Sequence, residues 1–222
     1  QYQGWKPRLR TILLIVNVIV LLIPLAGIGL LRIYETELIR RTEAELISQG
    51  AFVQAMYRDR VLDAIREGCD PTVTTATYGQ PVQVQWPVNV EDKFKPVPAE
   101  LNMSTEAIRP VAPDPRDAPK PPDDCAWIAG QDLTTVLLDA QQITLSGIYI
   151  VDFNGVVVGT TQKPHGKSLA HREEVARALN GEFVQVVRER TTDESRPPLE
   201  SIKRGTNLRV NVAMPIVHNN RV

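Results

Sequence analysis

The hydrophobic pattern of the chain changes several times, and each change marks a different kind of element. From Thr11 to Leu31 the sequence TILLIVNVIVLLIPLAGIGLL has 21 residues and no charge. At helical rise it covers about 32 Å, enough for a hydrocarbon core of roughly 30 Å. It is too long for the apolar part of a signal peptide, and Leu30-Leu31 run straight into Arg32 without a small-x-small site. The pattern predicts a membrane span, in which Pro24, Gly27 and Gly29 are tolerated. Residues 32 to 67 then mix apolar and charged positions without a proline. Ile39, Leu46 and Val53 lie seven apart, Met56 follows three later, and Glu37–Arg41 and Arg41–Glu45 are i,i+4 pairs. This predicts a long helix continuous with the span, weakest at Gly50 and stopped at Gly68. Its apolar stripe needs the domain's own sheet, a second copy of the chain, or both.

Residues 69 to 127 lose this periodicity, and eleven of the 17 prolines fall between 69 and 126. Thr72–Tyr78 and the alternating Val82, Val84 and Trp86, separated by Gly79-Gln80, predict a hairpin. Pro96 to Pro122 has little to bury and predicts a surface excursion. Residues 128 to 222 are ordered again. Asp132–Thr144 reads as a helix capped by Asp132. Ile148–Val151 and Val156–Thr160 read as a hairpin turning on Asp152-Phe153-Asn154-Gly155, since Asn-Gly is a strong hairpin signal. Ser168 is placed to cap a helix that carries Glu173 and Glu174 near its start and ends at Gly181. Phe183–Arg190 and Asn207–Val217 read as strands around a polar loop from Thr191 to Gly205, with Leu208, Val210 and Val212 on one face and a turn at His218-Asn219-Asn220.

Charge adds orientation. The net charge is −1, from 25 Lys or Arg and 26 Asp or Glu, which gives no nucleic-acid signal. Lys6, Arg8 and Arg10 precede the span and fit residues 1 to 10 to the cytoplasmic side, so residues 32 to 222 are expected outside, periplasmic in a Gram-negative cell and extracellular otherwise. In an oxidising compartment Cys69 and Cys125 are most simply a disulfide around the proline-rich stretch; two unpaired thiols are the alternative. No Cys/His ligand spacing suggests a metal, and no cofactor motif is present. His165, His171 and His218 have no nucleophile context, so no catalytic residue is expected in this chain. Asp152 reads as a local hydrogen-bonder of its turn.

Lys163, His165, Lys167, His171 and Arg172 crowd one loop and the first turn of the following helix. A helix N-terminus suits a carboxylate or phosphate. Tyr149, Arg188 and Arg209 lie on strands within reach of that loop, and together these residues form a candidate anion site. The alternative is a solvated basic surface loop with the arginines on the outer sheet face. Phe52, Met56 and Tyr57 of the long helix read as core.

Ile148-Tyr149-Ile150-Val151-Asp152, Asn154-Gly155-Val156-Val157, Gly166-Lys167-Ser168 and Val212-Ala213-Met214-Pro215-Ile216-Val217 stand in an order that resembles PDC or single-Cache sensor domains. These occur in bacterial membrane-bound histidine kinases, the CreC-like sensors among them, and in chemoreceptors. The resemblance covers residues 130 to 222 closely and 11 to 67 loosely. It implies an α+β fold, with a central antiparallel sheet and the long N-terminal helix packed on one face. It also implies a pocket between sheet, short helix and loop, and a homodimer that relays ligand or partner binding to a cytoplasmic kinase. By the same pattern the chain stops before a last strand and a second span, as a truncated product would. The proline-rich stretch is longer than the pattern requires. A second reading is a single-pass anchored periplasmic scaffold that docks a partner on that stretch.

Overall fold

A computed structural model of the chain describes residues 9–87, 94–163, 165–190 and 208–222. The first element is one helix, α1 (Leu9–Glu67), of 59 residues. Its N-terminal part is long and apolar enough to cross a membrane: the most apolar 18-residue window has a mean hydropathy of 2.8 and none of it is buried. Gly50 is no weak point. A Cβ there would lie 2.7 Å from Met214 Sδ, so the glycine makes room for the segment after the last strand. Gly68, in the left-handed region at φ 86°, follows the helix end.

Beyond α1 come β1 (Arg116–Asp117), α2 (Asp124–Thr144), β2 (Tyr149–Val151), β3 (Val157–Thr160), β4 (Lys167–Ser168), α3 (Glu173–Leu179), β5 (Val184–Glu189) and β6 (Leu208–Ala213). In place of one central sheet the strands form three antiparallel pairs, β1 with β4, β2 with β3 and β5 with β6. α2 packs on β3, and α1 packs on α2 and on β6. One apolar core joins Tyr57, Val61 and Ile65 of α1, Ala129, Leu133 and Leu137 of α2, and Ile150 and Val158. A second, smaller cluster joins Ile39, Leu101 and Val187, with Leu208 and Val210 against it. The polar loop expected from Thr191 to Gly205 lies outside the described residues.

Four further expectations are corrected. The helix expected from Asp132 begins eight residues earlier. Asp123, after Pro121-Pro122, has extended backbone, and its carboxylate accepts from Ala126 N, which caps α2. Its other end is capped by Leu145 at φ 56°. The hairpin over residues 72 to 86 does not form. Asp70 and Thr72–Tyr78 make turns, while Gln80 and Val82 bond instead to Val222 and Asn220 (2.9 Å each). The 72–86 segment therefore finds a distant partner rather than its own neighbour. Ser168 lies in β4 and caps nothing; α3 starts at Glu173, and Arg172 at its N-cap makes no side-chain cap bond. Of the three residues read as core on α1, Tyr57 is buried, whereas Phe52 is 70% exposed and Met56 also faces out.

Cys69 and Cys125 form a disulfide across 56 positions, with 5.3 Å between their Cα atoms. It ties the end of α1 to the start of α2.

Candidate functional site

The Asn-Gly turn is built around Asp152, which is almost fully buried. One carboxylate oxygen accepts from Asn154 N (2.9 Å) and Val156 N (2.8 Å), the other from Asp123 N (3.1 Å). Gly155 adopts φ 76°, and a Cβ there would meet Ala170 at 2.7 Å, so only glycine fits. Asp123 in turn accepts from the Tyr78 hydroxyl at 2.7 Å. Burial pushes the Tyr78 phenol up, with Tyr57 and the Asp123 carboxylate adding to it. Burial likewise raises Tyr57. The turn, the α2 cap and the two tyrosines therefore form one polar network, and its carboxylates are occupied by structural donors.

Next to this network lies a cleft of about 590 Å³. One wall is α1, through Gly50, Val53, Gln54, Tyr57 and Arg58. The others are β2, β6 with the Met214–Val217 segment, the Leu169–Leu179 stretch, and Val111–Pro115 of the proline-rich region. Gln54 Nε2 donates to Pro215 O (2.6 Å), which fastens α1 to the segment that follows β6.

The cleft collects only part of the expected anion site. Tyr149, Lys163, Arg172, Arg188 and Arg209 line it. Arg188 and Arg209 stand opposite each other in the β5–β6 register, which puts both side chains on one face. Arg188 is 5% exposed, and its guanidinium bonds Glu174 Oε2 (2.7 Å) and Pro110 O (3.0 Å). Its Nε is buried and has no hydrogen-bond partner among the described residues. Arg172 Nε donates to Pro113 O (3.0 Å), and burial pushes its guanidinium down. The Tyr149 hydroxyl donates to Gln162 (2.8 Å).

His165, Lys167 and His171 are not among the residues that line the cleft. His165 is exposed beside α2, near Gln131 and edge-on to Trp127. Lys167 pairs with Asp117, holding β4 to β1, and that hydrogen bond lowers the Asp117 carboxyl. A His171 ring nitrogen is 3.0 Å from Asp114 O. Nor does the short helix offer the expected N-terminus: it has seven residues, and Glu173 and Glu174 already occupy its positive end. The basic residues share a different task. Lys167, His171, Arg172 and Arg188 hold residues 110 to 117 down against the domain.

Gln54 and Arg58 are the site residues that the sequence reading passed over. Their signal was present, because they flank Tyr57 on the half-buried side of a helix where an apolar stripe was expected. Among the described residues no group of three His, Cys, Asp or Glu side chains could hold a metal ion. Comparison of the chain with protein-family models, curated proteins and solved structures gives no match. Its function is therefore read from its own geometry.

Proposed function

We propose that this chain is the extracytoplasmic sensory input region of a dimeric bacterial transmembrane receptor, most simply a two-component sensor histidine kinase. The observation that carries this reading is the continuity of α1, a single helix from its apolar segment to the wall of the cleft. Whatever fills the cleft touches the element that enters the membrane. The proposed occupant is a ligand or protein partner whose anionic group meets Arg172 and Arg188. It binds one of two arrangements better and so shifts their populations. The contacts that would shift are Gly50 with Met214 and Gln54 with Pro215, and rigid helices would carry the change through the membrane. Phosphotransfer belongs to a cytoplasmic part of the receptor, and no residue of this chain is assigned a catalytic role. The scaffold reading draws less support, because residues 110 to 117 lie bonded against the domain rather than projecting from it.

The test is calorimetry on the 222-residue chain in lipid nanodiscs, with succinate, citrate and inorganic phosphate as probes. The reading expects at least one carboxylate to bind, and Arg172→Ala to weaken it by about tenfold or more, the loss of one charged hydrogen bond. Absence of binding by every probe, or binding untouched by Arg172→Ala, contradicts an anion site in the cleft.

A further inference from the structure

We infer that residues 110 to 115 are a strap along the cleft, and that an anionic occupant latches it, because the two arginines that face the occupant also hold the strap. This rests on the cleft being the binding site, and it adds the regulation of that site. Val111, Ala112, Asp114 and Pro115 of the strap line the cleft. Its sequence, Pro110-Val111-Ala112-Pro113-Asp114-Pro115, has three prolines in six residues. They fix φ and remove three N–H donors, which disfavours both a helix and a ladder. Among the described residues the strap makes no backbone–backbone hydrogen bond. Its carbonyl groups are left for side-chain donors. Pro110 O accepts from Arg188 Nη1 and Pro113 O from Arg172 Nε, both at 3.0 Å, and Asp114 O lies 3.0 Å from a His171 ring nitrogen. Backbone pairing starts only beyond the two ends. Arg109 bonds Val187 and Glu189 of β5 (2.9 Å each), and β1 pairs with β4, where Lys167 meets Asp117.

Each of these arginines has a second edge to offer. Arg188 spends Nη1 on the strap and Nη2 on Glu174, and its buried Nε has no partner among the described residues. Arg172 meets the strap through Nε, with its Nη groups left over for an anion. A guanidinium is a planar fork of five donors, so one edge can keep a carbonyl while another takes a carboxylate or phosphate. An anion on both arginines fixes the two flexible side chains that cross to the strap, and so steadies its hold. The coupling is reciprocal: a strap held down presents both guanidiniums, already ordered, to the anion. Lys167, His171 and Asp117 line no part of the cleft, yet through the strap they tune the affinity for its occupant.

Two measurements on the full chain in nanodiscs test this, with succinate, citrate and inorganic phosphate as probes. The first needs only the native chain: trypsin cleavage between Arg116 and Asp117, just past the strap, is followed by mass spectrometry with and without saturating anion. Cleavage under mild digestion follows the population in which this segment is open. The second is the anion affinity of the double variant His171→Ala with Asp117→Ala, by calorimetry; the Asp117 side chain is 90% exposed. The expected result is that bound anion slows the cleavage and that the double variant binds at least about fivefold more weakly. Cleavage that is unchanged or faster with anion overturns the inference, because the anion then ignores the strap or takes the arginines from it, while the cleft remains an anion site. A folded double variant that binds as tightly as the native chain overturns it in the same way. Absence of binding by every probe overturns this inference and the anion site together.

Discussion

Of the buried carboxylates, Asp152 and Glu43 hold backbone N–H groups, and only the first was readable in advance. Asp152 was expected to bond locally within its turn, and it does. Its further bond to Asp123 N needed the tertiary fold. Asp152→Ala removes the acceptor of three peptide N–H groups and is expected to destabilise the domain by about 2–3 kcal/mol, measured by urea denaturation. Glu43 is the second. It is fully buried on α1 and accepts from Glu100 N and Leu101 N at 3.0 Å each, while Arg40 donates to Leu101 O. It lies between Ile39 and Ile47 on the buried side of the helix. A charge in an apolar stripe was the available signal, but the seven-residue spacing through Leu46 drew attention to a neighbouring stripe. Glu43→Ala leaves two donors without an acceptor, at a cost of about 1–3 kcal/mol. Burial, opposed by the two backbone bonds, raises the Glu43 carboxyl above its ordinary value of 4.5. The folded chain therefore holds this proton more tightly than the unfolded chain. That contribution to stability is complete below pH 4.5 and is lost as pH rises through the raised value. The stability of the native chain relative to Glu43→Gln, which cannot ionise, should accordingly fall as pH rises above 4.5; a relative stability that rises with pH would mean the shift has the other sign.

At the scale of elements, local signals worked where the partner is near in sequence. The β2–β3 hairpin follows from Asn154-Gly155, and β5 follows from Phe183–Arg190. They failed where the partner is distant. Gln80 and Val82 pair with the C-terminal residues, and nothing between positions 72 and 86 encodes that choice. The start of α2 was legible in principle, since a proline pair followed by Asp123 is a helix-start signal, but Asp132 offered a competing cap. Close approach of α2 to β3 depends on Gly130, where a Cβ would lie 2.4 Å from Val158 O. Backbone cannot yield as a side chain can, so Gly130→Ala should destabilise by about 1–3 kcal/mol. A melt that matches the native chain would contradict that packing. The disulfide joins the end of α1 to the start of α2 within the larger apolar core, and Cys125 is fully buried. Cys69→Ser with Cys125→Ser should lower stability by about 2–4 kcal/mol, read as an earlier unfolding midpoint that added reductant no longer moves.

Across the whole molecule, the basic cluster read from the sequence divides in two. His165, Lys167 and His171 sit outside the cleft lining, whereas Tyr149, Arg172, Arg188 and Arg209 line it. A cluster in sequence could not show this, because the cleft is made by α1 and the Met214–Val217 segment, far from the loop in chain order. α1 couples that cleft to its own apolar segment without a break. The most direct test places a spin label at the exposed Glu45 (Glu45→Cys) and measures distances between copies in nanodiscs, with and without saturating succinate. The account predicts an inter-copy distance that shifts by roughly 1–2 Å when the cleft is filled, the size of a helix displacement at an interface. A distance distribution unchanged by bound succinate, or no inter-copy distance at all, would contradict it.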